Sequence, residues 1–303
     1  MPLIHATRRN AYTGSPLDRA AHRRDDAEWV AGARAAADTL WVPMAGSRSL
    51  LAGHGTPEVA AVLPTGAELG VLGLFVEDWV FLGLLDGVPV FAGQIGAEPS
   101  VPDAVGAFVD LRAAAGMLGP RDAAILAHAR GLLHWRARHR HCANCGQPTA
   151  PRAAGNVTAC PACGAQHFPR TDPAVIMLVV GGDRALLGHS ARFPSATMFS
   201  TLAGFLEPGE SLEEAVAREV FEEAGVRVRD VTYHSSQPWP FPASLMVGFH
   251  AETDDETITI DPEELDAARW FTRAELRDPA AHGFDLPRAD SIARRLIEDW
   301  LHA

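Results

Sequence analysis

The chain is 303 residues long, 47% apolar and 21% charged, with a formal net charge of −12. That length and balance describe a globular chain with room for at least two domains, and the acidity argues against broad, nonspecific nucleic-acid binding. Every cation apart from histidine is arginine, which excludes a phosphate-loop lysine, a Schiff-base lysine and a lysine nucleophile together.

The opening MPLIHATRRN is not followed by an apolar core, so no secretion signal is expected. The longest strongly apolar run, Ala174 to Val180, is far too short to span a bilayer. A cytoplasmic location follows as the expectation. A helix is predicted near Asp25 to Thr39, and Pro43, Pro57 and Pro64 break up the stretch after it. Val80 to Leu85 and Val88 to Ala92, joined by Asp86-Gly87, predict a β-hairpin with a tight turn. Helices are predicted over Asp103 to Met117 and Asp122 to Arg138. The second carries Ile125, Leu126, Leu132, Leu133 and Trp135. Residues 1–120 are expected to form an α+β domain, and no catalytic constellation falls in it. Arg136, Arg138 and Arg140 with His139 and His141 form a basic cluster. A solvated helix end facing its own C-terminal dipole explains the cluster better than phosphate steering does.

Cys142-x2-Cys145-Gly and Cys160-x2-Cys163-Gly are two knuckles separated by fourteen residues, and the chain has no other cysteine. Four thiolates in this spacing suit one tetrahedral Zn²⁺ at a closed structural site. A disulfide pair is the alternative, disfavoured in a cytosolic chain. His139, His141 and His167 lie nearby as other possible ligands. The ribbon and its leading helix take residues 121–167.

Residues 168–303 change to strands. Ala174 to Val180 and Ala185 to His189 pair across Gly181-Gly182-Asp183, and Leu245 to His250 and Thr257 to Ile260 are expected to continue the sheet. A helix is predicted in Ser211 to Gly225, opened by the Ser211/Glu214 capping-box spacing and closed by Gly225. A last helix is predicted from Arg288 to Leu301. The fold class expected is an α/β/α sandwich around a mixed sheet. On the first of these helices Glu219, Glu222 and Glu223 stand at i, i+3 and i+4, all on one side. Like charges so close destabilise a helix unless a cation intervenes, and hard oxygen ligands suit Mg²⁺ or Mn²⁺ held against phosphate.

The stretch from Gly204 to Val226 reads G-x5-E-x7-R-E-V-x-E-E-x-G-V. It resembles the Nudix box, whose family hydrolyses nucleoside diphosphates linked to another moiety. The resemblance implies that Glu219, Glu222 and Glu223 are metal ligands, and that Arg218 pairs with Glu210 to support the loop-helix-loop. Downstream, Ser236, Gln237, Pro238, Trp239, Pro240, Phe241, Pro242 and Ser244 spell SQPWPFPxS. By residue chemistry alone this is equally a rigid proline-aromatic turn at a sheet edge or a recognition segment. It is similar to the marker of the NADH pyrophosphatases, and agreement extends to RHRHCANCG, HFPRTDPAVIML, MFSTLAGF and SIARRLI.

That family splits NADH into reduced nicotinamide mononucleotide and AMP, and its bacterial members remove NAD caps from RNA 5′ ends. The resemblance implies a homodimer with an amino-terminal domain, a zinc ribbon and a Nudix domain, without DNA or membrane partners. It further implies that Phe205 stacks the nicotinamide, with Ala203 beside it in the substrate site. Phe168 stands where the family often has tyrosine, a second stacking face supplied across the dimer. Glu264 completes the metal site, with Glu263 its close competitor. Among the box carboxylates, Glu222 is favoured as proton acceptor from water. Two other functions compete: an ADP-ribose or nucleotide-sugar pyrophosphatase, and a zinc-ribbon regulator that only senses a nucleotide.

Overall fold

The structure, a computed structural model, describes residues 10–56, 58–96, 101–114 and 116–303. The start of the chain and Pro57 lie outside the described residues. The chain divides into two compact units: Tyr12–Thr171 with Trp239–Ala243, and Asp172–Pro238 with Ser244–Ala303.

In the first unit α1 (Ala27–Ala35) precedes a six-stranded sheet of β1 (Leu40–Ala45), β2 (Arg48–Ala52), β3 (Ala60–Ala61), β4 (Val76–Leu85), β5 (Val88–Ile95) and β6 (Ala107–Asp110), with α2 (Gly66–Val71) between β3 and β4. Its order is β3-β2-β1-β5-β4, with β6 on β2. The hairpin expected from Asp86-Gly87 is present, and both turn residues are left-handed (φ 51° and 87°), as its two-residue loop requires. The helix expected over Asp103 to Met117 is not formed. Gly106 sits at φ 142°, where a Cβ would meet Leu51 O at 2.2 Å, and the chain then runs as β6 along β2. Helix is left only to the single turn α3 (Leu111–Ala114). The next helix forms as expected, as α4 (Pro120–Arg138) with Ile125, Leu126, Leu132, Leu133 and Trp135 buried. Arg136, read as part of a solvated cluster, instead ion-pairs with Asp78 and has only 9% of its side chain exposed. The ribbon follows as β7 (Ala150–Arg152), β8 (Val157–Ala159) and β9 (Gln166–His167).

The second unit is built on β10 (Asp172–Gly181), β11 (Arg184–His189), β12 (Leu202–Phe205), β13 (Arg229–Trp239), β14 (Ser244–Glu252) and β15 (Ala267–Thr272). β10 pairs parallel with β14 and antiparallel with β11 and β12, so the sheet is mixed. Val175, Met177 and Val179 of β10 pack with Val216 and Val220 of α5 (Leu212–Ala224). Ile176 and Leu178 pack with Leu296 and Ile297 of α7 (Ile292–His302), which follows the short α6 (Arg273–Arg277). Alternate residues of one strand thus feed two cores, which is why the run is apolar throughout. The expected α/β/α sandwich is observed. Thr257 to Ile260 is not a strand: Thr259 N donates to Ala224 O and Asp261 N to Glu223 O, so this segment closes the end of α5 rather than extending the sheet. Among the described residues no helix is long and apolar enough to cross a membrane.

Candidate active site

The acidic site grows from the β12–α5 connection. Ser211 Oγ accepts from Glu214 N while the Glu214 carboxylate accepts from Ser211 N, and Gly225 ends the helix at φ 70°. These caps fix where the helix starts and stops, and so the direction of its carboxylates. Arg218 is the hub. It donates twice to Glu210 (2.6 and 3.0 Å), once each to Glu219 and Glu222 (2.9 Å), and to the carbonyl of Phe205 (2.9 Å). The Glu210 pair holds its guanidinium well above the usual arginine range.

Glu223 is only 8% exposed, and Arg218 does not reach it. Burial, then the charge of Glu219 and that of Glu264, pushes its carboxyl up to about 8, against a hydrogen bond from Ala203 N. Burial also raises Glu219, opposed by Arg218. Glu222 keeps 55% of its side chain exposed. Glu264 lies on a turn closed by Glu264 N donating to Asp261 O, and Leu265 anchors that turn in the core beside α5. Of the two competing glutamates, Glu264 is the one whose charge reaches Glu223.

Gly204 makes room for one of these carboxylates. A Cβ there would overlap the Glu219 carboxylate at 1.8–2.0 Å, so the backbone of β12 is the floor on which that carboxylate rests. Hard oxygen donors on one helix face, with a buried acid whose charged form its neighbours disfavour, are the donor type that suits a divalent cation. The contribution of Ala203 is its backbone N–H, for which its side chain gives no sequence signal. The spread of Arg218 over two further glutamates was likewise not foreseen.

The SQPWPFPxS residues divide in two. Ser236 O accepts from Asn10 Nδ2 (2.8 Å), and Pro238 lies on edge strand β13. Gln237 is fully buried: its Nε2 donates to Asp290 O (2.7 Å) and Ala11 O (3.4 Å), and its Oε1 accepts from Ile292 N (2.8 Å). Its amide is buried and holds the start of α7. Trp239 to Ala243 group with the first unit, where Arg130 Nε donates to Pro240 O (2.7 Å). The guanidinium groups of Arg112 and Arg130 lie over the Phe241 ring at 4.7 and 5.0 Å, and Trp239 meets that ring edge-on. Pro242 is exposed, and Ser244 starts β14 opposite Asp172. Phe205 and Phe168 are 61% and 63% exposed.

The four cysteine sulfurs lie within 4.8 Å of one another, with contacts of 3.5–3.6 Å, and none is in a disulfide. Tetrahedral Zn²⁺ with bonds of about 2.3 Å sets its sulfurs roughly 3.8 Å apart, so the cage fits that ion. His167 Nε2 is 3.4 Å from the Cys142 sulfur and supports it from outside the cage, while His139 Nδ1 turns to Trp135 O.

Three family models match consecutive stretches: the NADH pyrophosphatase-like rudimentary NUDIX domain at residues 38–135, the NADH pyrophosphatase zinc ribbon domain at 137–168, and the NUDIX domain at 170–294. The chain is 44% identical over 239 residues to the NAD-capped RNA hydrolase NudC of Stutzerimonas stutzeri, covering 75% of this chain and 83% of that protein. It belongs to the NADH pyrophosphatase family of Nudix hydrolases. The NAD-capped RNA hydrolase NudC of Mycobacterium tuberculosis strain H37Rv is 45% identical over 234 residues, 73% of this chain and 74% of that one. A solved NUDIX hydrolase from Nitrosomonas europaea aligns at 23% identity and a TM-score of 0.45, covering 54% of this chain and 93% of that one.

Proposed function

We propose that this chain hydrolyses the diphosphate bond of NADH and NAD, giving (reduced) nicotinamide mononucleotide and AMP, and removes NAD caps from RNA 5′ ends. The observation that carries the reading is the buried Glu223 carboxyl, which Arg218 leaves alone and whose charged form the charges of Glu219 and Glu264 disfavour. A dication relieves that repulsion, and the chain's relatives are named NAD-capped RNA hydrolases. Glu219, Glu222, Glu223 and Glu264 would hold Mg²⁺ or Mn²⁺. Once bound, the cation supplies Lewis acidity toward the diphosphate and lowers the pKa of the attacking water. Glu222, the most exposed box carboxylate, takes the water's proton. Arg218 keeps the box loop and helix in register through Glu210 and Phe205 O. Phe205 and Phe168 hold the nicotinamide, and such stacking contributes roughly 1–3 kcal/mol per base in comparable sites. Ala203, Ser236, Pro238, Trp239, Pro240, Phe241, Pro242 and Ser244 belong to the recognition surface, some through positioning alone. The thiolate cage suits a reducing, cytoplasmic setting, and a homodimer brings Phe168 to the partner's site.

The test is chromatography of products from NADH and from an NAD-capped transcript, run in parallel with added Mg²⁺ or Mn²⁺. Nicotinamide mononucleotide and AMP from the first, and a 5′-monophosphate RNA from the second, are expected. Uncut substrates at millimolar cation, with fold and zinc intact, would end this reading.

A further inference from the structure

The chain's acidity is unevenly distributed. Residues 172–238 and 244–303 carry 11 arginines and 24 acidic residues, whereas residues 12–171 and 239–243 carry 13 and 14. In the near-neutral first unit two largely buried arginines have a carboxylate: Arg130 has Asp110 and Arg136 has Asp78. One group does not. Arg24, Arg34 and Arg152, with Asp25, line a cavity of about 370 Å³ between α1 and the ribbon segment Pro151–Gly155, and among the described residues none of the three makes an ion pair within 4.0 Å.

Of the three, Arg24 is held against its preference. Arg24 Nε is buried with no hydrogen-bond partner. Behind it Arg19 donates to His128 Nε2, which leaves the buried His128 Nδ1 unpartnered. Burial lowers Arg19, with Arg24 adding to the effect; burial and the two guanidiniums push His128 down to about 3. Asp25 alone favours the charged form of Arg24, which burial also lowers. Three guanidiniums thus share the cavity with one carboxylate, Asp25, and their like charges exceed their counter-ion. An anion in the cavity reverses the sign of that repulsion. Trp79 also lines the cavity, with the Arg34 guanidinium covering one face of its ring at 4.8 Å. Guanidinium and indole together offer charge for a phosphate and a surface for a base. The volume lies within the range of small-ligand sites.

We propose that this cavity is a second, non-catalytic site that takes a nucleoside phosphate, its phosphate on Arg24, Arg34 and Arg152 and its base against Trp79. The ligand is a free mononucleotide or one nucleotide of an RNA strand; both present the same chemistry. The proposal does not depend on the catalytic reading, because its readout is binding.

The experiment is calorimetry on the full-length, zinc-loaded protein without added divalent cation, so that the glutamate cluster does not retain phosphate. AMP, adenosine and a short 5′-hydroxyl oligoadenylate are titrated into wild type and into Arg34→Ala/Arg152→Ala, both exposed positions. Wild type is expected to bind AMP or the oligonucleotide at least tenfold more tightly than the double variant, and adenosine at least tenfold more weakly than AMP or the oligonucleotide. Loss confined to AMP assigns the site to free nucleotide, and loss confined to the oligonucleotide assigns it to a strand. Arg34→Glu should deepen the loss, with circular dichroism and bound zinc unchanged. NADH turnover should stay within twofold of wild type. The proposal is overturned if wild type binds neither phosphate ligand, or if the double variant binds both as wild type does.

Discussion

Glu223→Gln separates what the folded site does to one carboxyl from what the fold needs. In the metal-free protein that group is pushed from 4.5 up to about 8, first by burial and then by Glu219. The unfolded chain titrates near 4.5. Between these values the folded protein keeps a proton that the unfolded chain releases. The stabilisation is therefore full below 4.5 and is lost as pH rises through about 8. Each pH unit in that window costs about 1.4 kcal/mol, so at pH 7 the loss approaches about 3 kcal/mol. Glutamine has the same shape, accepts the Ala203 N–H bond and has no proton to lose. Metal-free wild type and variant should melt alike near pH 4.5 and diverge with rising pH. At pH 7 the variant should melt higher by roughly 6–12 °C, for a cooperative unit of this size. Added Mn²⁺ should reverse the order, raising wild type while leaving the variant nearly unchanged. Differential scanning calorimetry at pH 4.5, 6, 7 and 8, without chelators so that zinc stays bound, measures this. A gap that does not change with pH would show that Glu223 is neither desolvated nor crowded as described.

Gly204→Ala drives a methyl into the Glu219 carboxylate and should lower kcat for NADH at least a hundredfold, with β12 still paired to β10 by hydrogen exchange; near-normal turnover would remove Glu219 from its place over the backbone. Glu222→Gln should cut kcat by two or more orders of magnitude with little effect on melting, because the side chain is exposed; turnover close to wild type would remove its role as proton acceptor. Phe205→Ala should raise KM for NADH about tenfold and change a plain ADP-sugar little, and equal losses on both would take Phe205 out of nicotinamide recognition. Cys163→Ser should lower zinc from one ion per chain, by mass spectrometry, and unfold the ribbon first; full zinc retention would put the fourth ligand elsewhere.

How much the sequence reveals depends on whether the cause is local. The caps of α5, the Asp86-Gly87 turn and the two cysteine knuckles each depend on residues within a few positions of one another, and each stands where its spacing places it. The apolar run of β10 and the carboxylates at i, i+3 and i+4 are local periodicities of the same kind. Where the cause is distant, the sequence misleads. Asp103 to Met117 has helical composition, but Gly106 packs against Leu51 and the chain becomes a strand. Thr257 to Ile260 has strand composition, yet Thr259 N donates to the Ala224 carbonyl that ends α5 and Thr257 N to Asp255 Oδ1. Gln237 sits in a segment that invites a substrate role, and its amide is consumed by backbone 53 and 55 residues away.

From its order of residues alone the chain declares its family, its zinc cage and the helix that bears its acids, because those signals sit within one or two turns of backbone. Folding alone decides that Glu264 reaches Glu223, that Ala203 offers its N–H, and that Glu223 gives up water for a raised affinity for protons. Proximity and desolvation are properties of packed elements, and no stretch of sequence holds them before the sheet and its helices close.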